Sequence, residues 1–108
     1  MAGSTPEQDW KYMKKVKEEL LAALFERINN QSMAILKASG QSEGDKYLTL
    51  YRHIKDSDRI VACCFDDWRR SNLIHRLFQL KRHNLLKPEH VQTLSEETQQ
   101  KLKALEEF

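Results

Sequence analysis

The chain has 108 residues, of which 40% are hydrophobic and 31% are charged, with three Gly, two Pro and a formal net charge of +2. This composition excludes a disordered chain and a turn-rich β-sandwich, and it favours a helical globular protein forming a single domain over residues 1–108. No segment approaches the ~18 consecutive apolar residues that cross a bilayer, so no membrane partner is expected.

The compartment is predicted from the amino-terminal sequence and the cysteines. The start of the chain lacks the basic and apolar regions of a secretion signal, and the only cysteines are the adjacent Cys63 and Cys64. Neighbouring residues on one segment do not easily form a disulfide. We therefore expect a cytoplasmic protein with two reduced, buried thiols, whose apolar surroundings raise the thiol pKa instead of activating a nucleophile.

After a flexible start at residues 1–5, a long first helix is predicted over residues 6–39. Thr5 is expected to cap it, with Pro6 at the first helical position and Gln8 completing a capping box. Apolar residues then recur at a spacing of ~100° per residue and form one stripe along the helix. Its apolar members are Trp10, Met13, Val16, Leu20, Leu21, Leu24, Phe25, Ile28 and Ile35.

The stripe weakens at residues 29–32, where Gln31 and Ser32 lie on the apolar side. Because such side chains compete for backbone hydrogen bonds, this stretch predicts a kink or a buried polar contact. Gly40 is expected near the carboxyl end of the helix. A helix of this length spans ~45 Å, so it must lie along an elongated bundle or project into a homodimer.

A second long helix is predicted over residues 44–83, with a possible break near residues 55–58. Apolar residues alternate by four and three positions, which is the spacing of a packed helical seam. The predicted inward positions are Tyr47, Tyr51, Ile54, Asp58, Val61, Phe65 and Trp68, with Leu50 beside them.

Beyond Trp68 the face that continues this seam turns polar and basic. Its residues are Asn72, His75, Arg76, Gln79, Arg82 and His83. A new apolar stripe at Leu73, Leu77 and Leu80 is rotated by ~150° from the first. Either the helix breaks near residues 70–72, or one helix packs on different neighbours along its two halves. We favour the continuous helix, because no Gly or Pro marks a break.

Residues 88–107 are predicted to form short carboxyl-terminal helices. Pro88 starts a short turn, and Ser95 caps the final helix, whose first turn holds Glu96 and Glu97. No alternating segment predicts a strand. The predicted fold is all-α: an elongated bundle built on a long helical hairpin, with a short carboxyl-terminal helical unit.

The charge distribution suggests a binding surface. No acidic residue lies between Asp67 and Glu89, whereas that window carries six Lys and Arg and two His. We therefore predict a non-catalytic adaptor, inhibitor or complex subunit that is homodimeric and binds an acidic protein partner through the basic face defined above. Nucleic-acid binding by the same cations is the alternative.

A ribonuclease is a further alternative. The spacing of Arg70 and His75 resembles the Arg-x4–6-His signature of HEPN-type ribonucleases, which implies metal-independent RNA cleavage with Arg70 and His75 as catalytic residues. Ser71 stands where that family usually has Asn, Asp or His. No Glu-x-x-His or His-x-x-x-His pattern occurs, so no metal site and no cofactor are expected.

A resemblance to a second family covers about the last 45 residues. A basic, aliphatic helix precedes a Leu-x-Pro turn at Leu86–Pro88 and a Leu-Ser helix start at Leu94. This order is similar to the helical domain of GINS replication-complex subunits. No counterpart of that family's β domain occurs in the chain.

Overall fold

The fold is an elongated, all-helical bundle, as predicted. A computed structural model describes residues 5–107, which contain five α-helices, one 3₁₀ turn and no strand. The elements are α1 (Glu7–Lys37), α2 (Glu43–Phe65), the 3₁₀ turn (Arg70–Asn72), α3 (Leu73–Arg82), α4 (Pro88–Thr93) and α5 (Glu96–Glu106). The extents are 55 × 25 × 23 Å and the radius of gyration is 16.8 Å, against about 13 Å for a compact domain of this length.

Thr5 anchors the start of α1 without capping it. The Thr5 hydroxyl donates to the Arg70 carbonyl at 3.4 Å, and Arg70 Nε donates to the Thr5 carbonyl at 2.7 Å. No side chain caps α1, so the predicted Thr5 cap is wrong. Of the predicted flexible start, residues 1–4 lie outside the described residues, and Thr5 is buried. Its two bonds to a residue 65 positions away explain both differences.

The polar stretch within α1 forms a contact instead of interrupting the helix. Ser32 Oγ donates to the Ile28 carbonyl at 2.8 Å, and the His53 ring nitrogen Nε2 lies 3.1 Å from the same oxygen. Both groups are partly buried between α1 and α2, as the sequence predicted for this stretch. Beyond α1, Gly40 turns the chain with a φ of +81°, which side-chain-bearing residues rarely adopt.

The predicted second helix over residues 44–83 is wrong, because α2 ends at Phe65 and α3 begins at Leu73. The helix continues through residues 55–58 and ends at the turn that follows Phe65. Asp67 adopts a φ of 55° there, and its carboxylate accepts hydrogen bonds from Arg69 at 2.8 Å and Asn72 at 2.6 Å. Asp tolerates the left-handed region better than most residues, so the chain turns without Gly or Pro.

The face of α2 that packs on α1 is also rotated from the prediction. From its start to Ile60 the less exposed positions are Lys46, Leu50, His53, Ser57 and Ile60. They lie one residue before predicted positions of the seam, which corresponds to ~100° of rotation. Leu50 and Val61 are half-buried and Phe65 is buried, as predicted. This rotation places Ser57 in the seam and leaves Asp58 in solvent, where its carboxylate keeps its hydration. Tyr47, Tyr51 and Ile54, predicted to point inward, are exposed.

The carboxyl-terminal helices close the core at the end of the bundle opposite the α1–α2 loop. Ser95 Oγ accepts from the Thr98 backbone N–H at 3.3 Å, which confirms the predicted cap of α5. Thr98 and Ser95 also donate to Asp9 of α1. The buried apolar side chains are Met13, Leu20, Leu24, Ile28, Cys64, Phe65, Leu73, Leu77, Leu80, Leu85, Leu86, Leu94 and Leu102.

Candidate interaction surfaces

The predicted basic face is only partly accessible. Of its six residues only His75 and Arg82 are exposed; Asn72, Arg76, Gln79 and His83 are half-buried. The cause is the turn at Asp67, which folds α3 back so that this side of it packs beside α2. The six residues predicted to form one face therefore do not form one accessible surface, because four of them pack against the protein and two face solvent.

Arg76 and Asn72 have structural partners in this arrangement. The Arg76 guanidinium donates to the Cys63 carbonyl near the end of α2, and the Asn72 amide donates to the Asp67 carboxylate. Arg27 of α1 donates to the carbonyls of His83 and Asn84, the latter at 3.0 Å. These bonds fix α3 and the loop after it against α1 and α2.

The remaining cations of the acid-free window are also largely paired. Arg69 forms an ion pair with Asp67 at 2.6 Å, and Lys81 forms one with Glu106 at 2.8 Å. The Arg69 guanidinium hydrogen-bonds the Asp67 carboxylate and holds its pKa below the ordinary value. Among residues 5–107, Arg82 and Lys87 are the cations of this window that neither form an ion pair nor hydrogen-bond a carbonyl. The free basic surface is thus smaller than the sequence suggests.

Arg70 and His75, the pair that resembles a ribonuclease signature, lie on two different elements. Arg70 begins the 3₁₀ turn and its Nε is bonded to the Thr5 carbonyl, while His75 is exposed on α3. No hydrogen bond connects the two side chains in the described part of the chain. A catalytic role for this pair stays a prediction.

The cysteines and the acidic residues are the remaining groups that could bind a metal ion or react. Cys64 is buried. Loss of solvation is the main reason why the pKa of its thiol is raised to about 11, and the charge of the neighbouring Cys63 is the second. Both thiols are free. Residues 5–107 contain no cluster of three His, Cys, Asp or Glu side chains able to hold a metal ion. None of the described helices is both long enough and apolar enough to cross a membrane.

An exposed apolar surface lies on the α1–α2 hairpin. We call it the hairpin face and define it as Phe25, Met33 and Leu36 of α1 with Tyr47, Tyr51 and Ile54 of α2. Their exposed fractions run from 41% for Ile54 to 67% for Tyr47. Exposed apolar residues are ordinary when scattered singly, but a contiguous group marks an interaction site.

Helix geometry places these six residues on one side of the hairpin. On α1 the stripe through Met33 lies about 90° from the direction of α2, and on α2 the stripe through Tyr51 lies about 100° from the direction of α1. The two helices run antiparallel, and on each helix the stripe is rotated in the same sense from the direction of the other helix, when viewed from its own amino terminus. Both stripes therefore lie on the same side of the hairpin. Arg27, which bonds to the loop after α3, lies on the opposite side of α1.

The α1 half of this surface carries no charge for nine residues. From Ile28 to Leu36 the sequence is INNQSMAIL, in which Asn29, Asn30 and Gln31 are exposed. Amides and apolar side chains lose less on desolvation than charged groups do. The hairpin face therefore has the chemistry of a surface that another helix can cover.

The hairpin face was missed in the sequence because Tyr47, Tyr51 and Ile54 were expected to form the seam with α1. One signal was available: that seam required Asp58 to be buried without a partner. Comparison with known proteins adds no functional information, because no family model, curated protein or solved structure matches the chain.

Proposed function

We propose that the protein is a non-catalytic helical interaction protein that acts through its hairpin face. The observation that supports this most directly is the exposure of six large apolar side chains on one side of a two-helix projection. Two helices alone cannot enclose both of their apolar sides. Another pair of helices on this side completes a four-helix arrangement of the kind that bundles adopt.

The size of the surface supports a specific contact. Taking about 200 Å² for a large side chain, the exposed fractions leave roughly 600 Å² of apolar surface. A stable interface of ordinary size buries about 800 Å² per partner, of which about 65% is apolar in homodimers. The exposed apolar area of the hairpin face is therefore comparable to the roughly 500 Å² of apolar area that such an interface buries on each partner.

Binding of an acidic partner by the basic face remains a proposal, with fewer residues available for it than the sequence predicts. Within that face it depends on His75 and Arg82, which are exposed, and outside the face the exposed Lys87 is the other cation of the window without a partner among the described residues. Nucleic-acid binding would depend on the same residues. A cytoplasmic location is part of the proposal and is supported by the two free thiols.

Site-specific photo-crosslinking tests the docking function. A photoreactive phenylalanine analogue replaces Tyr51 in the full chain, which is expressed at its natural level, irradiated in cells and analysed by mass spectrometry. We expect one dominant adduct whose crosslinked peptide, once sequenced, comes from an amphipathic helix.

The matched control carries the same analogue at Thr49, which is exposed on the other side of α2. An adduct at position 51 that is absent at position 49 supports docking on the hairpin face. Equal labelling at both positions, or none at position 51, rejects the proposed function.

A further inference from the structure

We propose that the occupant of the hairpin face is a second copy of this chain. The two copies pack face to face with their α1–α2 loops at the same end, so that α1 of each copy lies on α2 of the other. This inference rests on the proposed function and names the partner.

The apolar side chains of the two helices match in height along the hairpin. The contact of His53 Nε2 with the Ile28 carbonyl, at 3.1 Å, sets residues 28 and 53 at one level. With a 1.5 Å rise on both helices, Phe25 is then level with the Ile54 region and Leu36 with the Tyr47 region. A twofold axis parallel to the hairpin preserves these levels, so each apolar side chain of α1 meets one of α2 from the second copy.

The same symmetry makes every neighbouring helix antiparallel. Within one copy α1 and α2 already run in opposite directions, and across the interface α1 again faces an α2. The result is a four-helix bundle in which opposite ends of the helix dipoles are adjacent. The interface is isologous, as closed twofold dimers require.

Charges at the edges of the face complement each other in this arrangement. Glu26 lies at the outer edge of α1 and Lys55 at the outer edge of α2, at the same level and on opposite sides of the hairpin. Both are exposed, and neither forms an ion pair within residues 5–107. The twofold axis brings Glu26 of each copy level with Lys55 of the other, so that two such pairs flank the apolar centre, with Asp58 of each copy one turn further along α2.

The oligomeric state of the purified full chain is the first test, by sedimentation equilibrium from 1 to 100 µM, roughly the range over which a modest homodimer dissociates. We expect a dimer for the wild type. Tyr51→Glu should weaken dimerisation at least about a hundredfold, because it buries a carboxylate at two symmetric positions. Thr49→Glu adds the same charge on the other side of α2 and should dimerise like the wild type.

A charge exchange tests the orientation. Glu26→Lys and Lys55→Glu should each raise the dimer Kd roughly tenfold, since each places like charges together at two sites. The double variant should return within about twofold of the wild type. Within one copy the two residues lie on opposite edges of the hairpin, so this restoration can arise only between copies. Circular dichroism checks that each variant keeps its helices.

The outcomes separate this inference from the proposed function. A wild type that stays monomeric at 100 µM overturns the second copy, while a position-51 adduct with a different protein leaves the docking function standing. A monomer without any adduct at position 51 overturns both. A dimer whose double charge exchange fails to recover overturns the proposed orientation.

Discussion

The Asp9 carboxylate accepts hydrogen bonds from the backbone N–H of Ser95 at 2.7 Å and from the Ser95 hydroxyl at 2.6 Å. Thr98 donates to the same carboxylate. Asp9 is 1% exposed and lies at the amino terminus of α5, where the helix dipole favours an anion. The first turn of α1 is thereby joined to the last helix, 86 residues later in the chain.

Replacing this carboxylate should therefore destabilise the fold. Asp9→Asn keeps the size but loses the charge and turns one acceptor into a donor, which faces donors of Ser95 and Thr98. We expect the free energy of unfolding to fall by about 3 kcal/mol. Urea unfolding followed by circular dichroism, at one fixed protein concentration, measures the change.

Asp56→Asn makes the same chemical change at an exposed position on the other side of α2, where the carboxylate has only a surface ion pair with Arg59 at 4.0 Å, and should stay within about 0.5 kcal/mol of the wild type. Equal losses in both variants would contradict the role assigned to Asp9.

Arg76 and Arg82 should separate clearly in stability, although the sequence placed them on one face. Arg76 is half-buried and bonded to the Cys63 carbonyl, whereas Arg82 is exposed. Arg76→Ala should lower the free energy of unfolding by about 2 kcal/mol, because it leaves that carbonyl without its charged donor. Arg82→Ala should change it by less than about 0.5 kcal/mol.

A variant in which the charges of both Arg76 and Arg82 are reversed would therefore lose stability as well as any binding, and the two effects could not be separated. Arg82→Glu alone tests the basic face, with binding of an acidic protein or of RNA as the readout. If Arg76→Ala proves as stable as Arg82→Ala, the contact between α3 and the end of α2 is unimportant.

Stability at alkaline pH should report on Cys64. Burial raises the pKa of its thiol from 9.0 to about 11, so the folded state holds this proton more tightly than the unfolded chain. The resulting stabilisation is complete below pH 9 and is lost as the pH rises towards 11. Urea midpoints measured in steps from pH 8 upward follow this loss.

Cys64→Ala provides the comparison, because Lys and Tyr residues also titrate in this range. The variant should be less stable than the wild type at pH 8, since it opens a small cavity. Its stability should nevertheless fall less steeply between pH 9 and 11. Parallel slopes for the two proteins would show that Cys64 does not contribute.

Local signals predicted several parts of the fold correctly. Ser95 followed by two glutamates located the start of α5, because a cap depends on a hydroxyl and its own backbone neighbours. The polar stretch around Ser32 forms the predicted polar contact, in which Ser32 of α1 and His53 of α2 meet at the Ile28 carbonyl. A break between the two halves of the predicted second helix agrees with the alternative interpretation, but the helix ends at Phe65, earlier than the residues 70–72 which that alternative indicates. Asp67 forms the turn that follows, and its carboxylate accepts hydrogen bonds from Arg69 and Asn72. No Gly or Pro marks this position in the sequence.

The all-helical, elongated fold follows from the sequence, since the 3.6-residue periodicity and the scarcity of Gly and Pro are local properties of the chain. Which side of α2 is buried depends on its packing against distant segments. Turning Tyr51 and Ile54 into the seam with α1 would also bring Asp58 there, and burial of a carboxylate without a partner is unfavourable. The rotation that avoids this cost exposes the hairpin face, and the fold of α3 pairs most of the basic window. Both candidate surfaces are therefore consequences of packing between segments distant in the chain.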